Sequence, residues 1–238
     1  MWQVQWSHPK FQSVLASCSY DRSVIVWRET AQNVWSEAFR HVHDLSVNSV
    51  SWAPHDFGLV LAAASSDGHI SVVTFRSDVS AEASSRFLAH AAGVCAVSWS
   101  PPAPALGGGA APVKRFVSGG CDNLVCIWRL SDMNEWRKEC GLQGHTDWVR
   151  DVAWAPSVGG VAGTVASASQ DKTVAIWREE GPANWKKSVI QFESVPWRVS
   201  WSVTGNILAV SCDDNSVSLF KEGLAGEWQR ISQEQATQ

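Results

Sequence analysis

Apolar positions in this chain fall in short runs of period two, and no segment sustains helical spacing. The clearest stretch is Trp148-Val149-Arg150-Asp151-Val152-Ala153-Trp154, where Val152 and Trp154 point to one side of an expected strand. Ala155-Pro156 ends it, because proline donates no ladder hydrogen bond. Thr164 to Ser169 is a second strand of small and β-branched residues. Gln170-Asp171-Lys172-Thr173 is a tight hairpin, and Val174 to Trp177 a third strand. After a loop containing Gly181-Pro182, Trp185 to Ile190 is a fourth.

This unit recurs five times. Its first-strand tryptophans are Trp6, Trp52, Trp99, Trp154 and Trp201, at spacings of 46, 47, 55 and 47. Each is followed by an aspartate: Asp21, Asp67, Asp122, Asp171 and Asp214. Six residues further lie Trp27, Val73, Trp128, Trp177 and Phe220. A period of this length predicts a repeat architecture, over about 1–40, 41–88, 89–141, 142–190 and 191–231, with a polar tail at 232–238. The hairpins Tyr20–Ser23, Ser66–His69, Cys121–Leu124 and Asp213–Ser216 carry the Asp, Asn and Gly that left-handed turn positions favour. Fourth strands open with Trp35, Trp136, Trp185 and Trp228, and the second repeat offers only Arg86-Phe87-Leu88 there. The longest spacing reflects an insertion over Ser100 to Val113, expected as a surface loop. Met1 lies five before Trp6, as Val47, Val94 and Val149 lie before theirs, so the chain starts inside a repeat.

Composition narrows the function. The net charge is -4, from 19 basic and 23 acidic residues, and no basic stripe appears, which argues against a nucleic-acid groove. No apolar run approaches the ~20 residues that span a bilayer, and Met1-Trp2-Gln3-Val4 does not begin a signal peptide. Cys18, Cys95, Cys121, Cys126, Cys140 and Cys212 form no C-x-x-C and no zinc spacing, so reduced thiols in strands are expected, with no metal or cofactor. Trp6-Ser7-His8-Pro9 resembles the start of a streptavidin-binding tag. It departs at Lys10 and Gln12, and it is in register with Trp52-Ala53-Pro54-His55, so it is read as a native strand end.

His145, Ser167, Asp171 and Trp177 form one constellation, and His90, Ser118, Asp122 and Trp128 repeat it at matching offsets. Ser17, Asp21 and Trp27 are the part found in the first repeat. Ser, His and Asp suggest a hydrolase, but a catalytic triad is needed once, in a cleft. A set that recurs with each repeat is a packing device, in which the hairpin aspartate accepts hydrogen bonds and the histidine relays to serine and tryptophan. The degenerate copies agree: Ala63 and Val73 accompany His43 and Asp67, and Phe192 and Val210 replace His and Ser in the fifth repeat. Most tryptophans occupy repeat-locked core positions. Trp2, Trp148 and Trp197 instead lie four or six before a repeat tryptophan, near the loop entering the first strand, and are candidates for a partner surface.

The pattern V-x-x-V-x-W…S-x-D-x-x-V-x-I-W is similar to the WD repeat, which implies an all-β propeller of four-stranded blades. Val47-Asn48-Ser49-Val50-Ser51-Trp52-Ala53-Pro54-His55-Asp56, Lys114-Arg115-Phe116-Val117-Ser118-Gly119-Gly120-Cys121-Asp122-Asn123, Asp147-Trp148-Val149-Arg150-Asp151-Val152-Ala153-Trp154-Ala155-Pro156 and Asn206-Ile207-Leu208-Ala209-Val210-Ser211 resemble the Sec-thirteen family, the small WD-repeat subunit of the outer COPII coat. The resemblance implies a non-enzymatic scaffold whose open, six-bladed propeller takes a further blade from a partner. That partner is the rod-forming coat subunit in ER-to-Golgi transport, or a Y-complex nucleoporin at the nuclear pore. The family also occurs in a growth-signalling complex at the vacuole or lysosome. It implies sites at the cytoplasmic face of the endoplasmic reticulum, COPII vesicles and the nuclear envelope.

This chain has five repeats, about one fewer than the family, and the register at Met1 predicts an N-terminally incomplete chain. A bare blade face of about 500 Å² apolar surface would forgo roughly 12 kcal/mol at ~25 cal/mol per Å², an upper bound that rivals a domain's whole stability. An open propeller therefore needs its edge covered. Alternatives are a Seh-type nucleoporin propeller, a substrate adaptor of a ubiquitin ligase, for which no top-face pocket is evident, and an enzyme, for which no unique acid/base or metal set stands out.

Overall fold

The computed structural model describes residues 1–102, 113–157, 163–223 and 226–235. The expected insertion loop lies, for residues 103–112, outside them. The described chain forms five antiparallel sheets, each of four strands in sequence order. Sheet one comprises β1 (Gln3–Trp6), β2 (Val14–Cys18), β3 (Ser23–Ala31) and β4 (Val34–Val42), and sheet two β5 (Val47–Trp52), β6 (Leu59–Ser65), β7 (His69–Phe75) and β8 (Ala81–Leu88). Sheet three comprises β9 (Val94–Trp99), β10 (Arg115–Gly120), β11 (Val125–Leu130) and β12 (Trp136–Leu142), and sheet four β13 (Val149–Trp154), β14 (Thr164–Ser169), β15 (Thr173–Gly181) and β16 (Asn184–Gln191). Sheet five comprises β17 (Pro196–Trp201), β18 (Ile207–Cys212), β19 (Ser216–Glu222) and β20 (Trp228–Gln235). Together they make an open β-propeller of five blades. Among the described residues no helix is long and apolar enough to cross a membrane.

Several ends differ from the sequence expectation, among them those of β3 and β15, which run on past Trp27 and Trp177 to Ala31 and Gly181, the latter expected in a loop. The second repeat has a full fourth strand from Ala81, not just Arg86–Leu88, because an outer strand facing solvent needs no apolar alternation. The last strand runs through the first residues of the expected polar tail, pairing Ser232 with Leu219 and Gln235 with Ser216. Its backbone ladder, rather than burial, holds it.

Successive sheets stack face to face, and period-two alternation assigns each strand's residues to one neighbour or the other. Val14, Ala16, Val24 and Val26 of sheet one meet Val50, Trp52, Leu61 and Phe75 of sheet two. Val60, Ala62, Ile70 and Val72 then meet Val97, Trp99, Phe116 and Trp128. The same exchange joins Ala96, Val117 and Ile127 to Val152, Trp154 and Trp177, and Ala166, Val174 and Ile176 to Val199, Leu208 and Phe220. Small and β-branched residues look forward along the chain, and large aromatics look back.

Innermost strands are sheet edges, and their free N–H groups need acceptors. The preceding sheet supplies them. Gln3 and Gln5 Oε1 accept from the amides of Val50 and Trp52 at 2.9 and 2.7 Å. Ser98 Oγ accepts from Trp154 at 3.0 Å, and Asp151 Oδ2 from Val199 at 2.9 Å. Tryptophan indoles reach back likewise: Trp52 Nε1 donates to the Gln5 carbonyl, Trp99 to Ser51 and Trp201 to Ala153, at 3.1, 2.9 and 3.1 Å. Further out, Arg115 is shared by Glu139 and Glu179 at 2.8 and 2.9 Å and lies over the rings of Trp154 and Trp185, tying sheets three and four.

Phe116 is the largest side chain with no exposure. Phe116→Ala should cost about 3–5 kcal/mol, as expected for removing a buried aromatic ring. A denaturant titration, with unchanged slope and a lowered midpoint, checks it.

Candidate functional site

Every hairpin between a second and third strand closes in the same way. The aspartate accepts from the amide two residues on: Asp21 from Ser23, Asp67 from His69, Asp122 from Leu124, Asp171 from Thr173 and Asp214 from Ser216, at 2.9, 2.8, 3.3, 3.0 and 2.9 Å. The residue after it is left-handed in all five, as Arg22, Gly68, Asn123, Lys172 and Asn215. The aspartate's constant task is thus local turn closure.

The longer tie is built in full in sheets three and four. His90 Nδ1 lies 2.7 Å from Asp122 Oδ1, its Nε2 2.7 Å from Ser118 Oγ, and Trp128 Nε1 donates to the same hydroxyl at 2.8 Å. His145, Asp171, Ser167 and Trp177 repeat this at 3.0, 2.7 and 2.9 Å. Ser118 and Ser167 are wholly buried, so neither hydroxyl is reachable as a nucleophile. The arrangement binds the loop before each first strand to the second and third strands. In sheet three Gly120 leaves room for the imidazole, since a Cβ there would lie 2.3 Å from His90 Nδ1.

Degenerate copies show what each member contributes. Sheet one, without the histidine, keeps Trp27 Nε1 donating to Ser17 Oγ at 2.9 Å. In sheet two His43 reaches Asp67 at 3.2 Å, but Ala63 stands in the serine position and His43 Nε2 is buried without a partner. Arg86 adds a donor to Asp67 at 3.0 Å, and the Asp44 amide donates there at 3.1 Å as the Thr146 amide does to Asp171 at 2.9 Å. In sheet five Phe192 packs edge-on to Phe220, with ring centres 5.6 Å apart, and Ser194 donates to Asp214 at 2.6 Å.

Burial would raise the Asp67 carboxyl, but donors from His69, Asp44 and His43 outweigh it and hold it at about 2. Burial is likewise outweighed at Asp122, chiefly by His90, and at Asp171, chiefly by Thr173 and Thr146, and both are lowered. Burial keeps His43 and His145 low, whereas at His90 the bonds with Asp122 and Cys126 overcome burial and push it up to about 9.

A second set of residues is more exposed. In sheets two to five the first strand carries a β-bulge, whose extra residue is Asn48, Cys95, Arg150 or Trp197, each four before its repeat tryptophan. Trp2 holds the same place beside β1. Each of the first four meets the residue preceding its hairpin aspartate. Trp2 packs edge-on to Tyr20 at 6.5 Å, Asn48 Nδ2 donates to Ser66 Oγ at 2.8 Å, Cys95 Sγ lies 3.4 Å from Cys121 Sγ, and Arg150 donates to Gln170 Oε1. Trp148 and Trp197 are brought together by Arg150, whose guanidinium lies 5.1 and 4.6 Å from their ring centres. Trp2 is not part of that group. All three indoles are about half exposed. Sequence reading found the tryptophans and missed Asn48, Cys95 and Arg150, which share the four-before offset but not the residue type.

Five stacked four-stranded sheets with recurrent Asp–His–Ser–Trp ties define a WD-repeat β-propeller. The family described as "WD domain, G-beta repeat" matches residues 82–129, 136–178 and 188–221, and the "Anaphase-promoting complex subunit 4 WD40 domain" matches 4–101. Each of the three repeats starts in the outer strand of one sheet and ends on the third strand of the next, so the repeat spans a sheet junction. The chain belongs to the SEC13 family. It is 49% identical to the Drosophila melanogaster "Protein SEC13 homolog" across 100% of this chain and 69% of that protein. It is 46% identical to "Protein transport protein sec13" of Emericella nidulans, over 97% of this chain and 79% of the relative, and 41% identical to the Mycosarcoma maydis protein of that name, over 98% and 79%.

Two predictions follow from the ties. Ala63→Ser supplies a hydroxyl to His43 Nε2 and should stabilise the chain by about 1 kcal/mol in chemical denaturation. The depressed carboxylates Asp67, Asp122 and Asp171 contribute stability that is complete above about pH 4 and lost as pH falls towards about 2. His90 has the opposite sign: its contribution is complete below about 6.5 and lost as pH rises through about 9. Melting temperature across pH 2–10 checks both limbs, and Asp67→Asn should flatten the acid one.

Proposed function

We propose that this chain is a structural subunit of the outer COPII coat in ER-to-Golgi transport, completed by a blade-like segment of the rod-forming coat subunit. Its relatives carry the name "protein transport protein", and the strings identified in the sequence are those of the coat subunit's family. The observation that carries the docking part is an uncovered sheet face. Ala166, Ala168, Val174 and Ile176 form the forward face of sheet four and are buried under sheet five. The matching residues of sheet five are Ala209, Ser211, Val217 and Leu219, and Val217 is 38% exposed where Val174 is buried. This face has the composition of a blade junction without the blade.

Sheet one bares the complementary, backward kind of face. Val4 is 44% and Trp6 60% exposed, against 0% and 8% for Val50 and Trp52. A strand-forming partner segment laid on the sheet-five face supplies the apolar cover that the other junctions have. The reading assigns no catalytic residue and no cofactor. It locates the protein at the cytoplasmic face of the endoplasmic reticulum and on coat vesicles.

The test is capture of the rod subunit by the tagged chain, with Val217→Arg as the variant and Val203→Arg as control, since Val203 is exposed in the turn between β17 and β18. Val217→Arg should weaken capture at least tenfold, about 1.4 kcal/mol, with the control unchanged. Equal capture by both variants sinks the docking face. Recovery of nucleoporins in place of the rod subunit replaces the coat reading with the nuclear-pore one, and recovery of ligase subunits alone overturns both.

A further inference from the structure

The rim contact between bulge residue and pre-aspartate residue is a product of the fold. It brings together an aromatic pair in sheet one, an amide and a hydroxyl in sheet two, and a guanidinium and an amide in sheet four. In sheet three both positions are cysteines, Cys95 at the bulge of β9 and Cys121 at the start of the turn after β10, with Sγ atoms 3.4 Å apart. Their approach does not depend on the thiols attracting one another, because three other residue pairs make it at the same positions. Both are partly exposed, while Cys18, Cys126 and Cys212 are buried. The hairpin amide of Cys121 is itself fixed to the Gly93 carbonyl at 3.0 Å, which keeps the two segments in register.

We propose that Cys95 and Cys121 are a modification site: a pair that closes to an intramolecular disulfide on exposure to a hydroperoxide and reopens with a small-molecule thiol. The sulfurs must approach by about 1.3 Å to reach the bond length of ~2.05 Å. Cys121 is the attacking group. The hydrogen bond from Cys95, and then the charge of Arg150, hold it at about 7, while Cys95 is raised and stays a thiol.

The Cys121 thiolate attacks one peroxide oxygen. The S–O bond forms, the O–O bond breaks, and the departing hydroxide takes up the proton that Cys121 had released. The Cys95 sulfur then attacks the sulfenic sulfur of Cys121. The S–S bond forms, the S–O bond breaks, and hydroxide leaves with the Cys95 proton as water. Two thiols and one hydroperoxide thus give one disulfide, and the peroxide's two oxygens leave as water when it is hydrogen peroxide. Each sulfur gives up one electron and the peroxide takes two. Two equivalents of a small thiol reverse the step by exchange.

The bond would tie β9 to the hairpin that carries Asp122. It would also remove the thiolate beside Arg150, the cation held between Trp148 and Trp197. The oxidation state of the pair is thereby coupled to the exposed aromatic rim. This site stands independently of the coat assignment.

The experiment exposes the full chain to hydrogen peroxide, blocks free thiols, and digests with trypsin without reduction. Mass spectrometry should find the Cys95 peptide, residues 87–114, joined to the Cys121 peptide, residues 116–129, two hydrogens lighter than their sum. The link should vanish with dithiothreitol and in both Cys95→Ser and Cys121→Ser. Because the second peptide also holds Cys126, fragmentation of the linked pair from the unaltered chain locates the bond without relying on a variant. A bond to Cys126, a link that survives Cys121→Ser, or oxidation of Cys121 to sulfinic acid with no link overturns the proposal.

Discussion

Each sheet of this protein is apolar on both faces, and that governs the rest of the fold. A four-stranded sheet with one apolar face could close a sandwich with a single partner. A sheet with two must be covered twice, and stacking identical sheets in an arc is the repeating solution. The burial is asymmetric by design. Forward faces carry Ala166, Ala168, Val174 and Ile176, and backward faces carry Trp154, Val165 and Trp177. Large residues on one surface fill space left by small ones on the next. Inner strands lie closer together than outer ones, as stacking around an axis requires. Stability is therefore built from junctions, each depending on its immediate neighbours.

The junctions also explain the polar chemistry. An inner strand forms a ladder on one side only, and neighbouring inner strands do not pair with each other. Gln3, Gln5, Ser98 and Asp151 answer the exposed amides, and the choice of acceptor varies from junction to junction. Asp151 marks the extreme case: burial raises its carboxyl to about 6, against the amides of Val199 and Val152 and the charge of Arg198. The Asp–His–Ser–Trp tie solves a different problem, the anchoring of loops that leave one sheet for the next. Because its hydroxyl and imidazole are sealed from solvent, the group has the membership of a catalytic triad without its accessibility.

What was legible in the sequence follows from this division. Trp154, Asp171, His145 and Ser167 each do the same task in more than one sheet, so their spacing alone identified the unit and discounted a hydrolase. Strand limits were clear where residues alternate under burial, as in β14, and were lost where a strand faces solvent. Ser232 to Gln235 read as a tail because nothing on their side chains reveals a ladder with Ser216 to Leu219. The rim was half legible. Trp2, Trp148 and Trp197 stand out by residue type. Asn48, Cys95 and Arg150 do not, because the bulge conserves a position and leaves its chemistry free. A bulge at this place constrains the backbone without selecting a residue type.

That freedom separates the two surfaces of the molecule in kind. A junction residue faces a partner in its own chain, so its size and polarity are fixed by what it must fill. Val199 under Ala166 and Ile176 has little latitude, since a methylene too many or too few in such packing costs on the order of 1 kcal/mol. A bulge residue faces solvent on one side and a single turn residue on the other. Its neighbour is fixed in place but not in type, and indole on phenol, amide on hydroxyl, thiol on thiol and guanidinium on amide all fit. The same five-fold repetition thus yields an interior fixed by packing and a rim whose residue types are free to differ from blade to blade. Solvent-accessible chemistry that distinguishes one blade from another belongs to the rim.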